Sequence, residues 1–307
     1  MHSYAPTDLN PDTISVTADV VMVNYNGKEQ LRDSVPRWLE QAADGYVNTV
    51  YIVDNDSDDG SVRYLQDSFP EVEVIDNDEN IGWGPAVSRG IEHADSELVF
   101  VTTPDMIVTQ SWCHRLIEST IEDESIGAAT GIVLRPSGEI DGRGSTRNRL
   151  FRFHPEEPSD DIATVDSGRG SALLVRQKAF HEAGGIDEDL FIQWEEVSLT
   201  YNLREIGYRT VFVPGALVWH CEPLNPKRGL EYYTSRNLYL LAARHLEGRD
   251  FGRVVLGNAV VHFCGHPAAA ALGRRPFSTV ARTYQGAAEG IVRALWERIH
   301  GAGPSQS

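Results

Sequence analysis

Lysine is nearly absent from this chain. Of 27 basic residues in 307, only Lys28, Lys178 and Lys227 are lysine, and the other 24 are arginine. Asp and Glu number 45, for a formal net charge of −18. A mainly acidic body repels phosphate backbones, which excludes non-specific nucleic-acid binding. Acid excess with lysine deficit suits a salt-saturated cytoplasm, where carboxylates keep a protein hydrated and salt screens their repulsion. An ordinary acidic protein of low pI is the alternative.

Cysteine is scarce too. Cys113, Cys221 and Cys264 lie far apart, so zinc-ligand spacing and CxxC redox spacing are excluded, and a reduced cytoplasmic location is expected. The first residues lack a basic start followed by an apolar stretch, so no secretory signal is read there. Residues 254–272 approach the length of a membrane span. They contain Asn258, His262, His266 and Pro267, and read as an interfacial or buried helical segment. There is no GxxxxGK[ST] and no GxGxxG after a strand, so phosphate is not cradled in the usual way at a helix N-terminus.

What is present is an alternation. "DVVMVNYNG", "TVYIVDNDSDDGS", "EVEVIDNDENIGWG" and "SELVFVTTPDMIV" are apolar runs that each end in a polar loop, with helical patterns between them. Pro36 disturbs the first of these helices, over 28–43. Strand–helix alternation predicts an α/β fold with a parallel sheet, whose ligands bind beyond the carboxyl ends of the strands. A looser stretch (135–165) leads to strand, helix, acidic loop, helix, strand. "YRTVFVPGALVWH" reads as a strand pair broken at Pro214 and Gly215. From Arg249 to His300, seven arginines face three acids, a local charge of +4 that leaves −22 for the remainder.

Carboxylates at an open sheet edge can retain a divalent cation that takes diphosphate oxygens into its shell. Asp105, ending a buried strand in "VTTPD", is the leading metal candidate; Pro104-Asp105 as a plain strand stop is the alternative. Asp54 and Asp56 can accept hydrogen bonds from a ribose or a base, and Tyr25 can stack on a base. Asp58 and Asp59 are turn chemistry. Glu195 and Glu196 in "QWEEV" begin a helix, where the dipole favours carboxylates, and one aimed into a cleft can act as a base. His220 can bind a metal or a phosphate oxygen, and Arg236 in "TSRN" can pair with phosphate. Each has an ordinary structural reading as well: core aromatic, capping acid, satisfied histidine, surface arginine.

In their order, "VMVNYNG", "YIVDNDSDDGS", "NIGWGPAVSRGI", "LVFVTTPD", "GGIDEDLFIQWEEVSL", "LREIGYRTVFVPGALVWH" and "YYTSRN" resemble the successive motifs of the family 2 glycosyltransferases, most of all their rhamnosyltransferase-like branch. The resemblance covers about Val20 to Asn237, on a chain of haloarchaeal-type composition. It implies a GT-A fold: a Rossmann-like, mostly parallel sheet flanked by helices, here with a helical C-terminal extension. It divides the chain into a polar lead-in (1–18), a GT-A domain (19–237), an Arg-rich helical region (238–300) and a disordered tail (301–307).

The resemblance also implies an inverting hexosyltransferase using a nucleotide-sugar and Mg²⁺ or Mn²⁺. Tyr25 and Asp54 would contact the nucleotide, with Asp56 nearby, and Asn80 and Gly82 would shape the donor loop. Asp105 would stand for the last acid of a DxD-type metal motif. Glu196 would be the base with Glu195 beside it, and His220 and Arg236-Asn237 would lie near the diphosphate and acceptor. Four positions depart from the family pattern: Thr103 in "TPD", Glu196 and Ser198 in "EEVSL", and Ser88 in the donor-loop helix. Glu196 is one methylene longer than the usual aspartate, and a displacement of roughly 1 Å can cost about a hundredfold in rate.

The acceptor expected is a polyprenyl- or dolichyl-linked glycan in cell-surface protein N-glycosylation, such as S-layer biogenesis. The enzyme would be cytoplasmic, with its Arg-rich region in peripheral contact with the inner face of the membrane. The alternatives are an exopolysaccharide glycosyltransferase, a non-catalytic GT-A scaffold that binds nucleotide-sugar, and a nucleotidyltransferase. The last is disfavoured by the missing Gly-rich phosphate loop.

Overall fold

The computed structural model describes residues 16–148, 151–155, 161–221, 230–265 and 276–300. Most of the polar lead-in, the whole 301–307 tail and residues 266–272 of the apolar stretch lie outside the described residues. The first half runs β1 (Ala18–Asn24), α1 (Lys28–Ala43), β2 (Val47–Asp54), α2 (Ser61–Ser68), β3 (Glu73–Asp76), α3 (Trp83–Ile91) and β4 (Leu98–Thr102). Then come β5 (Met106–Ile107), α4 (Gln110–Ile121), β6 (Ile126–Leu134), β7 (Ile140–Gly142), β8 (Ser145–Arg147), β9 (Phe153–Pro155), β10 (Ala163–Val165) and β11 (Ala172–Arg176). The chain continues with α5 (Gln177–Glu182), α6 (Glu195–Glu205), β12 (Arg209–His220), α7 (Leu230–His245), α8 (Gly248–Val260), a π-turn (Val261–Gly265) and α9 (Phe277–His300).

The apolar strands explain the layers. Every residue of β1 is buried, and successive side chains of a strand point to opposite faces. Val20 and Met22 enter a core with Leu31, Trp38 and Trp112 from α1 and α4. Val21 and Val23 enter another core with Val87, Ile91 and Leu203 from α3 and α6. A strand buried on both faces belongs in the middle of a sheet covered by helices. The sheet order is β10-β12-β6-β11-β4-β1-β2-β3. β1, β2, β3 and β4 are mutually parallel, as are β6 and β12, whereas β11 runs antiparallel between β4 and β6. The expected mostly parallel α/β sheet and the helical C-terminal extension are both present.

Two local readings are corrected. Pro36 sits inside α1 without ending it. The face carrying Leu31, Val35 and Trp38 is fully packed, and that burial outweighs one lost backbone hydrogen bond. Likewise, 209–220 is one strand and not a broken pair. Its register against β6 jumps between Phe212 and Leu217, and Gly215, at φ +78°, supplies the left-handed residue that lets the chain bulge and rejoin the ladder.

The C-terminal helices pack closely. On α9, a Cβ at Gly286 would lie 2.0 Å from the Tyr232 carbonyl oxygen, and one at Gly290 would lie 2.5 Å from that of Arg236. These contacts are with the backbone of α7, which cannot yield as a side chain would. A domain boundary at 237/238 therefore falls inside α7, a helix shared by both regions. Among the described residues no helix is long and apolar enough to cross a membrane.

Gly290→Ala is expected to destabilise the protein by about 1–3 kcal/mol through overpacking. Gly252→Ala, in α8 with nothing within 4 Å of the added carbon, is expected to stabilise it by up to about 1 kcal/mol through helix propensity. Chemical denaturation of the two variants against the parent checks both signs.

Candidate active site

The carboxyl ends of β1, β2 and β4 open into a cavity of about 630 Å³, walled on the far side by Phe191, Ile192 and Tyr233. Tyr25, Asn80, Gly82 and Asp105 line it as expected. Asn80 accepts the Gly82 amide at 3.1 Å, and the Trp83 amide reaches the Phe191 carbonyl at 2.8 Å. Gly82 has φ +93°, and a Cβ there would lie 2.6 Å from that same carbonyl oxygen. Only glycine permits this approach.

Asp54 and Asp56 do not line the cavity. Asp54 is fully buried and accepts hydrogen bonds from the Asn24 amide group at 2.6 Å and the Ser57 backbone at 2.8 Å. Asp56 is exposed, at φ +62°. The residue between them lines it instead: Asn55 donates to the Gly82 carbonyl at 3.0 Å and accepts from Asn77 at 2.7 Å. Asn55 is the first residue past β2, and the left-handed turn at Asp56 follows it; its side chain is held inward by the bonds to Gly82 and Asn77.

Asp105 and His220 come together. β5 pairs with the end of β12 and sets His220 against Met106. His220 Nε2 is 3.4 Å from Asp105 Oδ2, and its Nδ1 is 2.8 Å from Asp141 Oδ2. The Thr103 hydroxyl also donates to Asp105. Hydrogen bonding to Asp105 raises His220 above its ordinary pKa, against the effect of burial. Burial alone would raise Asp105, but the bonds from His220 and Thr103 outweigh it and hold the carboxyl below its usual range. Asp141 is likewise held low against burial, by His220, Arg135 and Arg169.

This donor set fits Mg²⁺ or Mn²⁺. A carboxylate and an imidazole face each other, and the other ring nitrogen is oriented by a second carboxylate. Among the described residues no group of three or more His, Cys, Asp or Glu gathers to hold a metal. Two protein donors suit an ion that completes its shell with water and substrate phosphate.

Glu195 and Glu196 begin α6 after two consecutive left-handed residues, Gln193 (φ +76°) and Trp194 (φ +77°). Helix α7 holds that turn. The Asn237 amide donates to the carbonyls of Ile192 at 3.1 Å and Gln193 at 2.8 Å, and Trp194 Nε1 donates to the Thr234 carbonyl at 2.9 Å. Glu195 is buried. Glu196 lines a second cavity, of about 350 Å³, with Asp141, Arg143, Arg169 and Trp194. Burial, and then the charge of Glu196, raise the Glu195 carboxyl; burial also raises Glu196, with Arg169 pulling the other way. Gly170 sits between a residue of each cavity: a Cβ there would lie 3.4 Å from Glu196 Oε2 and 3.5 Å from the Trp83 ring.

Arg236, expected at a phosphate, lines neither cavity. It is buried and bonds to Glu289 Oε1 at 3.1 Å, the Asp189 carbonyl at 3.1 Å and Asn237 Oδ1 at 2.7 Å. Its fork is spent tying α7 to α9 and to the loop before α6. Besides Asn55, the sequence reading missed Trp83, Tyr233, Asp141, Arg143 and Arg169. A third cavity, of about 650 Å³, surrounds Arg244 and His245 and contains none of the expected residues.

Residues 19–183 match the family model described as Glycosyl transferase family 2. Over 231 residues the chain is 27% identical to N-acetylglucosaminyl-diphospho-decaprenol L-rhamnosyltransferase of Mycobacterium tuberculosis, covering 64% of this chain and 75% of that protein. Over 221 residues it is 26% identical to poly-beta-1,6-N-acetyl-D-glucosamine synthase of Staphylococcus aureus, covering 70% of this chain and 52% of that one. The fold is similar to that of the mannosyltransferase PcManGT from Pyrobaculum calidifontis, solved with GDP-Man and Mn²⁺ (TM-score 0.59, 18% identity, 97% of this chain and 92% of that one). It is also similar to GalNAc-T7, solved with UDP, GalNAc and Mn²⁺ (TM-score 0.61, 17% identity, 75% and 50%). The chain thus spans about half the length of the synthase and of GalNAc-T7.

Asn237→Ala strips donors from two carbonyls of the turn before α6. It is expected to cost about 1–3 kcal/mol and to speed amide exchange over residues 190–198, as read by hydrogen–deuterium exchange.

Proposed function

The chain belongs to glycosyl transferase family 2, and from that premise we propose a one-step inverting displacement between two adjoining cavities. The observation that carries it is that His220 touches Asp105 of the larger cavity and Asp141 of the smaller, while Gly170 lies against both Trp83 of the first and Glu196 of the second. The larger cavity takes the nucleotide-sugar, with Tyr25 against the base and Asn80 and Gly82 framing the donor. Asp105 and His220 Nε2 would hold Mg²⁺ or Mn²⁺, whose charge offsets that of the departing diphosphate. Glu196 accepts the proton of the acceptor hydroxyl as its oxygen bonds to the anomeric carbon. The bond from that carbon to the phosphate oxygen breaks, and the nucleoside diphosphate leaves with the electron pair. Glu195, buried beside it, positions the helix end.

We place the acceptor on a polyprenyl or dolichyl carrier in cell-surface protein N-glycosylation, met at the inner face of the membrane. The decaprenol-linked substrate named for the mycobacterial relative supports a lipid-linked acceptor. So do two exposed apolar stripes in the arginine-rich region: Leu256, Val260 and Phe263, and Val292, Leu295, Trp296 and Ile299. Their helical spacing gives each helix an apolar face of the kind that lies in a bilayer interface. Exopolysaccharide assembly is the second reading, favoured by the similarity to the staphylococcal synthase.

Assayed with a nucleotide-sugar panel, Mn²⁺ or Mg²⁺ and a membrane lipid extract, the protein is expected to label lipid from one donor. Glu196→Gln should lower that rate by about 10²–10⁴, and Asp105→Asn should abolish metal-dependent transfer. Donor binding without transfer to extract from cells lacking the protein would instead indicate a scaffold. Because the Glu196 carboxyl is raised, it is protonated and inactive as a base up to a higher pH than an ordinary glutamate. The acid limb of kcat/KM should therefore lie above 4.5, the ordinary glutamate value. Flotation with anionic vesicles tests the membrane contact: the wild type should co-float, and a Leu256→Asp/Trp296→Asp double variant should stay at the bottom of the gradient.

A further inference from the structure

The smaller cavity contains an unused cation. Arg143 lines it beside Glu196, yet its guanidinium makes no hydrogen bond or ion pair among the described residues, and its Nε is buried without a partner. Among the described residues, other semi-buried arginines are paired with acids, although Arg147 also has an unpartnered Nε and lies over the Phe151 and Tyr201 rings. Arg176 pairs with Glu97, Arg236 with Glu289, and Arg244 with Asp187, Asp189 and Glu297. A guanidinium stays charged at any workable pH. This one is partly exposed, but its Nε is shielded from water without a partner, a cost that an anionic ligand would recover.

The second arginine of the cavity is half committed. Arg169 gives one Nη2 to Asp141 at 3.0 Å, and its side chain remains 40% exposed. Asp141 is itself shared among Arg135, Arg169 and His220, so it does not neutralise the pair. Among the described residues Glu196 is the only other acid lining the cavity. Two guanidiniums, one unpaired and one half committed, thus stand beside the group that would take the acceptor's proton.

We propose that this cavity is a phosphate-binding acceptor subsite, in which the Arg143 and Arg169 guanidiniums hold the phosphate that links the acceptor sugar to its carrier. The two planar forks match phosphate oxygens bidentately, and Ser145 and Ser167 add hydroxyls to the lining. Acceptor choice then depends on a charge one sugar away from the reacting hydroxyl. The inference deepens the lipid-linked reading and rests on it for the identity of the carrier. The anion site itself rests on Arg143.

The test is a binding measurement that needs no turnover. With the larger cavity filled by Mn²⁺ and a saturating nucleoside diphosphate, geranyl diphosphate is titrated into the full-length protein by calorimetry. Arg143→Ala and the neutral near-isostere Arg143→Gln are expected to weaken it at least tenfold. Both variants should keep the parent's Tm, because the side chain has no partner to lose, and exposed Arg32→Ala serves as the control. Inorganic pyrophosphate and geraniol form the comparison arms. Geranyl diphosphate binding well above both supports a lipid phosphate. Equal binding of pyrophosphate, lost in the same variants, keeps the anion subsite but assigns it to free phosphate. The proposal is overturned if geranyl diphosphate binds parent and Arg143 variants alike, or binds neither. Failure of sugar transfer with Arg143-dependent binding intact would count against the catalytic reading and leave the subsite standing.

Discussion

Two left-handed residues hold the site together. Gln193 and Trp194 carry side chains at positive φ, where each costs of order 1–3 kcal/mol. Such a turn persists only if its surroundings over-determine it. Here α7 supplies the constraint, through Asn237 to two carbonyls and Thr234 to the Trp194 indole. The loop just before the turn is fixed by the same helices. Arg244 meets Asp189 through two parallel bonds of 2.9 Å, and Arg293 reaches the same carboxylate at 2.7 Å. Burial alone would raise Asp189, but Arg244 overrides it and keeps the carboxyl ionised. The turn then starts α6 with Glu195 inside and Glu196 in a cavity. The C-terminal helices are therefore part of what aims Glu196, the proposed base.

A second line of contacts runs under both cavities. Asp105 faces the larger one and Asp141 the smaller, with His220 between them touching both carboxylates. Each acid favours a protonated ring, and the ring favours ionised acids, so the three are electrostatically one unit. Asp141 passes the connection on to Arg169, which faces Glu196 within the smaller cavity. The charge state of the larger cavity and that of the smaller are thus linked by a chain of direct contacts, beside strand ends held by the sheet.

The sheet was legible because its signal is local: β-branched runs closed by polar loops at regular intervals. Positions at strand ends were legible to the same degree, which is why Tyr25, Asn80, Gly82 and Asp105 fall together in one cavity. Which way a side chain turns there was not. Asp54, Asn55 and Asp56 are all polar, and only the turn after β2 and the bonds to Gly82 and Asn77 decide that Asn55 faces inward. Arg236 shows a different limit. Its charge suggested a phosphate, but Glu289, 53 residues away, claims it, and nothing local announces so distant a partner. Asp141 and Arg143 lie in a stretch with no periodicity, where short strands form only by pairing with the rest of the sheet. The positive φ at Gln193 and Trp194 is equally silent, since neither residue type favours it.

The scarcity of lysine has a structural counterpart. At Asp189 a single carboxylate accepts two parallel bonds from Arg244, whose remaining capacity reaches Asp187 at 3.1 Å and Glu297 at 2.9 Å. Lysine presents a point charge on a flexible stem and cannot serve three acids from a fixed plane. Burial works against the charge of Arg244, and Asp189 and Glu297 more than restore it. Surface acids are screened in concentrated salt, whereas such semi-buried forks are screened much less. A chain with so many carboxylates gains by converting some of them into clasps, and the residue able to do this is arginine. The preference that appears as a bias in composition is, in the fold, what fastens the C-terminal helices to the loop that carries Glu196.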